Sequence, residues 1–155
     1  MRVLVVSEDA AERLRAVSAL SLHAGGQVEV VEATSGPEAR QRLDEDPDLD
    51  VLVIDGDLFP KGGFAQLYAL RAAAAFEGRE QVPAVILADR EQDRWLADWA
   101  GANAVLVKPV ASFALAREVE SLVGAGGAGH GATESSDQVA DLVAAGRGHS
   151  AGLDP

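Results

Sequence analysis

The sequence of 155 residues has no cysteine, which excludes disulfide scaffolds, thiolate zinc sites and thiol nucleophiles and permits a reducing compartment. Positive charge is scarce: 13 Lys and Arg stand against 25 Asp and Glu, a net charge of −12. A nucleic-acid binder needs a basic face to neutralise phosphates, and so does a protein that docks on an anionic membrane. Neither DNA nor a membrane is therefore expected as a partner. No apolar run approaches the roughly 20 residues of a membrane-spanning helix. The opening MRVLVVSED is too short for a signal peptide and has the form of a first β-strand, so a cytoplasmic location is expected. Histidine is also sparse. His23, His130 and His149 stand apart from the acidic residues described below, which argues against a histidine metal or catalytic site.

What is present fits an ordinary globular protein of one domain, with 48% hydrophobic and 25% charged residues. Eight of the 16 glycines fall in the last 32 residues, from Gly124 onward. A segment of that composition buries too little apolar surface to offset the entropy of ordering. Residues 1–123 are thus expected to form the domain, and 124–155 a Gly/Ala-rich, largely disordered tail. A short helix at about 136–145 would place Val139, Leu142 and Val143 on one face.

Strand-like and helix-like patterns alternate through the first 123 residues. Strands are predicted over Arg2–Val6, Val28–Val31, Asp50–Ile54, Pro83–Ala88 and Ala104–Val107. Helices are predicted over Ala10–Leu22, Pro37–Leu43, Gly63–Ala75, Glu91–Ala100 and Ser112–Val123, the last with Ser112 as its N-cap. Strands that are apolar on both faces and alternate with helices imply a parallel sheet covered on both sides. The predicted fold is an α/β three-layer sandwich, a doubly wound five-stranded parallel sheet. In such sheets ligands bind beyond the carboxyl ends of the strands.

Those ends carry Ser7, Glu8 and Asp9 after the first strand and Asp55, Gly56 and Asp57 after the third. Ala88, Asp89 and Arg90 follow the fourth, and Lys108 and Pro109 the fifth. The SEDAAE turn has no glycine and would repel a phosphate, so a dinucleotide site is not expected, and the phosphate-loop pattern is missing. Each acid alone fits a solvated loop or a helix cap. Together they suit a hard divalent cation such as Mg²⁺, with Glu8 or Asp9 acting beside Asp55. A carboxylate can itself be the nucleophile that forms an acyl phosphate, and Asp55, ending the middle strand, is the candidate. Lys108 would then pair with the phosphoryl group as a point charge.

The segments MRVLVVSED with Arg13 downstream, DVLVIDGDLFPKGGF, VPAVILAD and AGANAVLVKP fall in an order that resembles a bacterial response-regulator receiver domain across residues 1–123. The resemblance implies a flavodoxin-like sheet of order 2-1-3-4-5. It makes Asp55 the phosphoacceptor and Lys108, followed by Pro109, the lysine that contacts the phosphoryl group. Glu8 and Asp9 fall in the acidic pocket that binds Mg²⁺, with Asp55 and the backbone carbonyl of Asp57 as further ligands. Gly63 matches the glycine that opens the third helix.

The sequence also departs from the family pattern. Ser7 stands at the first acidic position, and Glu8 where aspartate is usual. Phe59 takes the place of the family's proline, with Pro60 one residue later. Ala88 replaces the Thr or Ser whose hydroxyl bonds the phosphoryl group. Val105 replaces the aromatic switch residue, and the loop after Ala88 is about two residues short. Trp95, Leu96 and Trp99 fall in the fourth helix. Trp95 is expected in the core, while Trp99 either covers the sheet edge or serves as a partner contact.

The leading expectation is a stand-alone receiver of a two-component phosphorelay. It would take a phosphoryl group on Asp55 with Mg²⁺ from a sensor histidine kinase or phosphotransfer protein, then signal through contacts with a protein effector. It would be no enzyme beyond its own phosphorylation and dephosphorylation. A homodimer could form through the fourth helix, fifth strand and fifth helix. The alternatives are a phosphorylation-independent pseudo-receiver adaptor and a Mg²⁺-dependent phosphohydrolase, the latter ranked low because no cap domain would enclose a substrate.

Overall fold

A computed structural model of the chain describes residues 1–58 and 61–127. The chain divides into two units, Met1–Val123 and Gly124–Pro155, and the sheet belongs to the first. The helix expected at about 136–145, His130, His149, Phe59 and Pro60 lie outside the described residues.

The elements alternate as β1 (Arg2–Val6), α1 (Ala10–His23), β2 (Glu29–Ala33), α2 (Gly36–Glu45), β3 (Val51–Asp55), α3 (Gly63–Phe76), β4 (Ala84–Ala88), a 3₁₀ turn (Glu91–Asp93), α4 (Trp95–Ala100), β5 (Ala104–Val107) and α5 (Ser112–Gly127). All five strands are parallel, in the order β2-β1-β3-β4-β5. This is the doubly wound, flavodoxin-like sheet expected from the sequence.

The two-residue period of each strand divides the core between two faces. Leu4, Val6, Leu52, Ile54 and Ile86 point to one side, where they pack with Ala39 of α2, Leu67 of α3 and Ala100 of α4. Val3, Val5, Val51, Val53, Val85 and Leu87 point to the other, against Ala16, Ala19 and Leu20 of α1 and Leu115 and Val119 of α5. Because β1, β3 and β4 are buried on both faces, their sequences are continuous apolar runs rather than alternating ones.

Polar side chains set the starts of α1 and α2. The Asp9 carboxylate accepts from the Ala11 N–H at 2.8 Å and caps α1. Ser35 caps α2 by accepting from the Glu38 N–H, and Glu38 reaches back to the N–H and hydroxyl of Thr34.

Three boundaries differ from the sequence reading in ways that matter. Asp55 is the last residue of β3 and pairs with Leu87, whereas Asp50 lies outside the strand, its carboxylate taken by the Arg2 N–H. The predicted helix over Glu91–Ala100 is a 3₁₀ turn followed by a six-residue α4. Ion pairs between Arg90 and Asp93 and between Glu91 and Arg94 suit the three-residue repeat of that turn, and Gly101, at φ +81°, ends the helix. Ser112 is the first residue inside α5 rather than its N-cap, since the Ala111 carbonyl accepts the first helical bonds from Ala114 and Leu115.

Candidate functional site

The carboxyl ends of β1, β3, β4 and β5 bring Ser7, Asp55, Asp89 and Lys108 together. Asp55 is buried, and every bond to its carboxylate comes from a different part of the edge. Oδ2 accepts from the Ser7 hydroxyl at 2.7 Å. Oδ1 accepts from the Asp57 N–H at 3.1 Å and from Lys108 Nζ at 2.5 Å. Lys108 Nζ also lies 3.1 Å from an Asp89 carboxylate oxygen. The Ser7 hydroxyl, having donated to Asp55, accepts from the Asp9 N–H at 3.2 Å.

These bonds decide the charge state. Burial works against the ionised form of Asp55, but the bonds from Lys108, Ser7 and the Asp57 amide outweigh it and hold the carboxyl below its ordinary range. Burial also works against the Lys108 cation, and Asp55 and Asp89 outweigh it, so that the ammonium titrates above the usual lysine value. At neutral pH the site therefore holds an ionised carboxylate beside an ammonium, and the ionised form is the one in which a carboxylate can act as a nucleophile.

Backbone packing fixes the position of Asp55. Gly63, at the start of α3, lies so close to the Asp55 carbonyl that a Cβ would collide with it, and the Gly63 N–H donates to the Gly56 carbonyl at 2.9 Å. The Gly56 N–H donates to Leu87 O at 2.8 Å, which closes the turn onto β4. On the β1 side, the Arg13 guanidinium donates to the carbonyls of Ser7 and Glu8 at 2.7 and 3.2 Å and pins that loop. The Lys108–Pro109 peptide is cis.

The other expected site residues are placed as follows. Glu8, Asp9 and Asp57 are exposed at the rim. Among the described residues, no group of three or more Asp, Glu, His or Cys side chains is placed to hold a metal ion. The neutral Ser7 hydroxyl donates to Oδ2 of the Asp55 carboxylate, and Oδ1 of Asp9 caps α1. Both Asp55 oxygens already meet a hydroxyl, an amide or an ammonium, a donor set that does not suit a cation as it stands. Ala88 is buried at the end of β4, and its carbonyl accepts from the Lys108 N–H at 2.8 Å. Val105 sits in β5 opposite Ile86.

Trp95 is not in the core. It is 69% exposed, because Ala97 and Ala100 take the inward side of α4 and leave Trp95 and Trp99, four residues apart, on the outward side. The Trp99 ring stacks on Tyr68 of α3, with centroids 4.6 Å apart and planes 4° from parallel. Leu96 is half-buried between them in sequence. His23, at the end of α1, is exposed.

The sequence reading of the site missed two roles. Asp89 is a second anchor for Lys108, and Ser7, marked only as a departure, is a direct partner of Asp55. Both stood at strand ends, which was the one signal available for finding them.

No family model matches the chain. Two curated relatives do, both described as uncharacterised response regulatory proteins of Mycobacterium tuberculosis, one from strain H37Rv and one from CDC 1551. Each is 32% identical over 126 residues, covering 79% of this chain and 91% of the relative. The chain belongs to the response-regulator receiver family. Solved structures share the fold of this receiver. A receiver domain from Clostridium thermocellum superposes with a TM-score of 0.66 at 21% identity, covering 79% of this chain and 94% of that one. The chemotaxis response regulator CheY4 of Vibrio cholerae gives 0.65 at 22%, covering 78% and 97%. The receiver domain of the Saccharomyces cerevisiae response regulator Ssk1, solved in complex with the histidine phosphotransfer protein Ypd1, gives 0.67 at 23%, covering 77% and 86%.

Proposed function

We propose that this receiver accepts a phosphoryl group on Asp55 from the phosphohistidine of a sensor histidine kinase or a phosphotransfer protein. The observation that carries the proposal is the ionised, buried Asp55 at the end of the central strand with Lys108 Nζ against its Oδ1. In the transfer, an Asp55 oxygen attacks phosphorus and the N–P bond breaks. The imidazole leaves with the bond's electron pair and takes a proton, and an acyl phosphate remains. Lys108 bears the negative charge carried onto the aspartyl group. The Ssk1–Ypd1 complex supports this kind of partner. Output would run through contacts with a protein effector, or a second copy, at the face of α4, β5 and α5, in the cytoplasm. Among the described residues no helix is long and apolar enough to cross a membrane.

Incubation with acetyl phosphate, followed by intact-mass measurement, tests the proposal. A phosphoryl adduct is expected in the native chain and none in Asp55→Asn; no adduct in the native chain would overturn it.

A second reading is favoured by Ala88 and Val105. Without a hydroxyl on Ala88 or a ring on Val105, a phosphoryl group gains few contacts that differ between two conformations, and an equilibrium shifts only by such differences. The chain would then be an adaptor held in one state. That reading predicts that Asp55→Asn leaves partner binding intact while Trp99→Ala abolishes it.

A further inference from the structure

Ser7 is the side chain least explained by the receiver reading. A receiver pocket is expected to offer a cation two acids before the acceptor, and here the first is a hydroxyl. The hydroxyl donates to Asp55 Oδ2 at 2.7 Å and accepts from the Asp9 N–H at 3.2 Å. The opposite oxygen of Asp55 holds Lys108 Nζ and the Asp57 N–H. Both carboxylate oxygens thus have partners supplied by the chain, and the Asp55 charge already faces an ammonium.

A magnesium ion sheds its water reluctantly and is held in proteins through only one or two carboxylates, so the loss of one or the engagement of another weighs heavily. At this edge Asp55 and Asp89 are both engaged by Lys108, Asp9 turns its carboxylate to the N-terminus of α1, and of the two expected acidic positions only Glu8, exposed at the rim, carries a carboxylate. An entering cation would compete with Ser7 for Oδ2 and with Lys108 for Oδ1, with one fewer carboxylate to reward it.

We propose that Ser7 takes over the part of the divalent cation at Asp55, so that the receiver holds its acceptor carboxylate with a hydroxyl, an amide and an ammonium and has little affinity for Mg²⁺. Ser7 is in this sense a positioning residue. The inference rests on the receiver reading of the site and concerns its cation alone. Since Mg²⁺ affinity follows the charge of the ligand set, restoring a carboxylate at this position should restore the ion.

The test is calorimetric titration of the full chain with MgCl₂, in the native form and as Ser7→Asp, with thermal melts of both in EDTA and in Mg²⁺. Ser7→Asp is expected to bind Mg²⁺ roughly tenfold more tightly or better than the native chain, from the added charged ligand. It should melt lower than the native chain in EDTA, where two carboxylates face each other, and recover in Mg²⁺. The native melt should be the same in both. Equal affinity in the two proteins, or a native melt that rises in Mg²⁺ as much as that of Ser7→Asp, would overturn the proposal. If Ser7→Asp does not fold, the native chain and Ser7→Ala decide: both silent supports it, and saturable Mg²⁺ binding by the native chain overturns it. No phosphoryl donor is present in these titrations, so failure here leaves the acceptor role of Asp55 standing. A missing adduct in the acetyl phosphate experiment leaves this inference standing in turn.

Discussion

Lys108 Nζ sits 2.5 Å from Asp55 Oδ1, and the two groups shift each other's titration in opposite directions, Asp55 downward and Lys108 upward. Each holds the other in its charged form at the centre of the sheet edge.

Removing the cation should therefore cost more than removing a surface charge. Lys108→Met leaves Asp55 with Ser7 and one amide, and stability is expected to fall by about 2 kcal/mol, less than for a fully enclosed pair because the lysine is partly open to solvent. Urea denaturation of Lys108→Met, Asp55→Asn and the double variant measures it. A coupling near zero would show that the pair is not an energetic unit.

The pH profile has a definite sign. Asp55 has a folded pKa below the ordinary aspartate value of 3.8, so its contribution is present above that value and is lost as pH falls through the lower, folded one. Lys108 has a folded pKa above 10.5, so its contribution holds below 10.5 and is lost as pH rises through the higher value. The melting-temperature gap between the native chain and Asp55→Asn should be flat at neutral pH and narrow below about pH 4. A gap that closes between pH 5 and pH 8 would contradict the assignment.

Gly63→Ala should damage the site without touching a charged group. Its methyl would meet the Asp55 carbonyl, which is backbone and cannot swing aside. A loss of about 1–3 kcal/mol is expected in chemical denaturation, together with a slower phosphoryl adduct as the acceptor shifts. Gly124→Ala, where a Cβ meets nothing, is the control.

The two tryptophans should separate stability from recognition. Trp99→Ala loses the Tyr68 stack and is expected to cost about 1 kcal/mol. Trp95→Ala, whose ring is mostly in water, should stay within about 0.5 kcal/mol of the native chain. If α4 carries the partner face, both should weaken partner binding. Binding unchanged in both would remove α4 from that role.

The sheet was legible because β1, β3 and β4 are apolar runs between helical periods, and the crossover rule leaves few ways to order them. Asp55 and Lys108 were legible because strand ends are where such sheets do chemistry. What the pattern could not carry was the burial of single side chains and the use made of short polar ones. Trp95 reads as core by hydrophobicity, yet α4 has only two inward positions, and both are alanine. Asp9 reads as a ligand by charge, yet its carboxylate is the first cap of α1. Ser7 reads as a lost acid, yet it donates the bond that a lost acid could not.

The Arg71 guanidinium donates to the carbonyls of Gly101 and Val82 and to the side chain of Asn103, and one turn earlier on α3 Tyr68 carries the Trp99 stack. The same helix starts at Gly63, against the Asp55 carbonyl. Helix α3 is thus a strut with one end on the acceptor and its middle bolted to the far end of α4. The contacts from the Trp99 ring to the acceptor strand run through Tyr68, α3 and Gly63, and include neither Ala88 nor Val105.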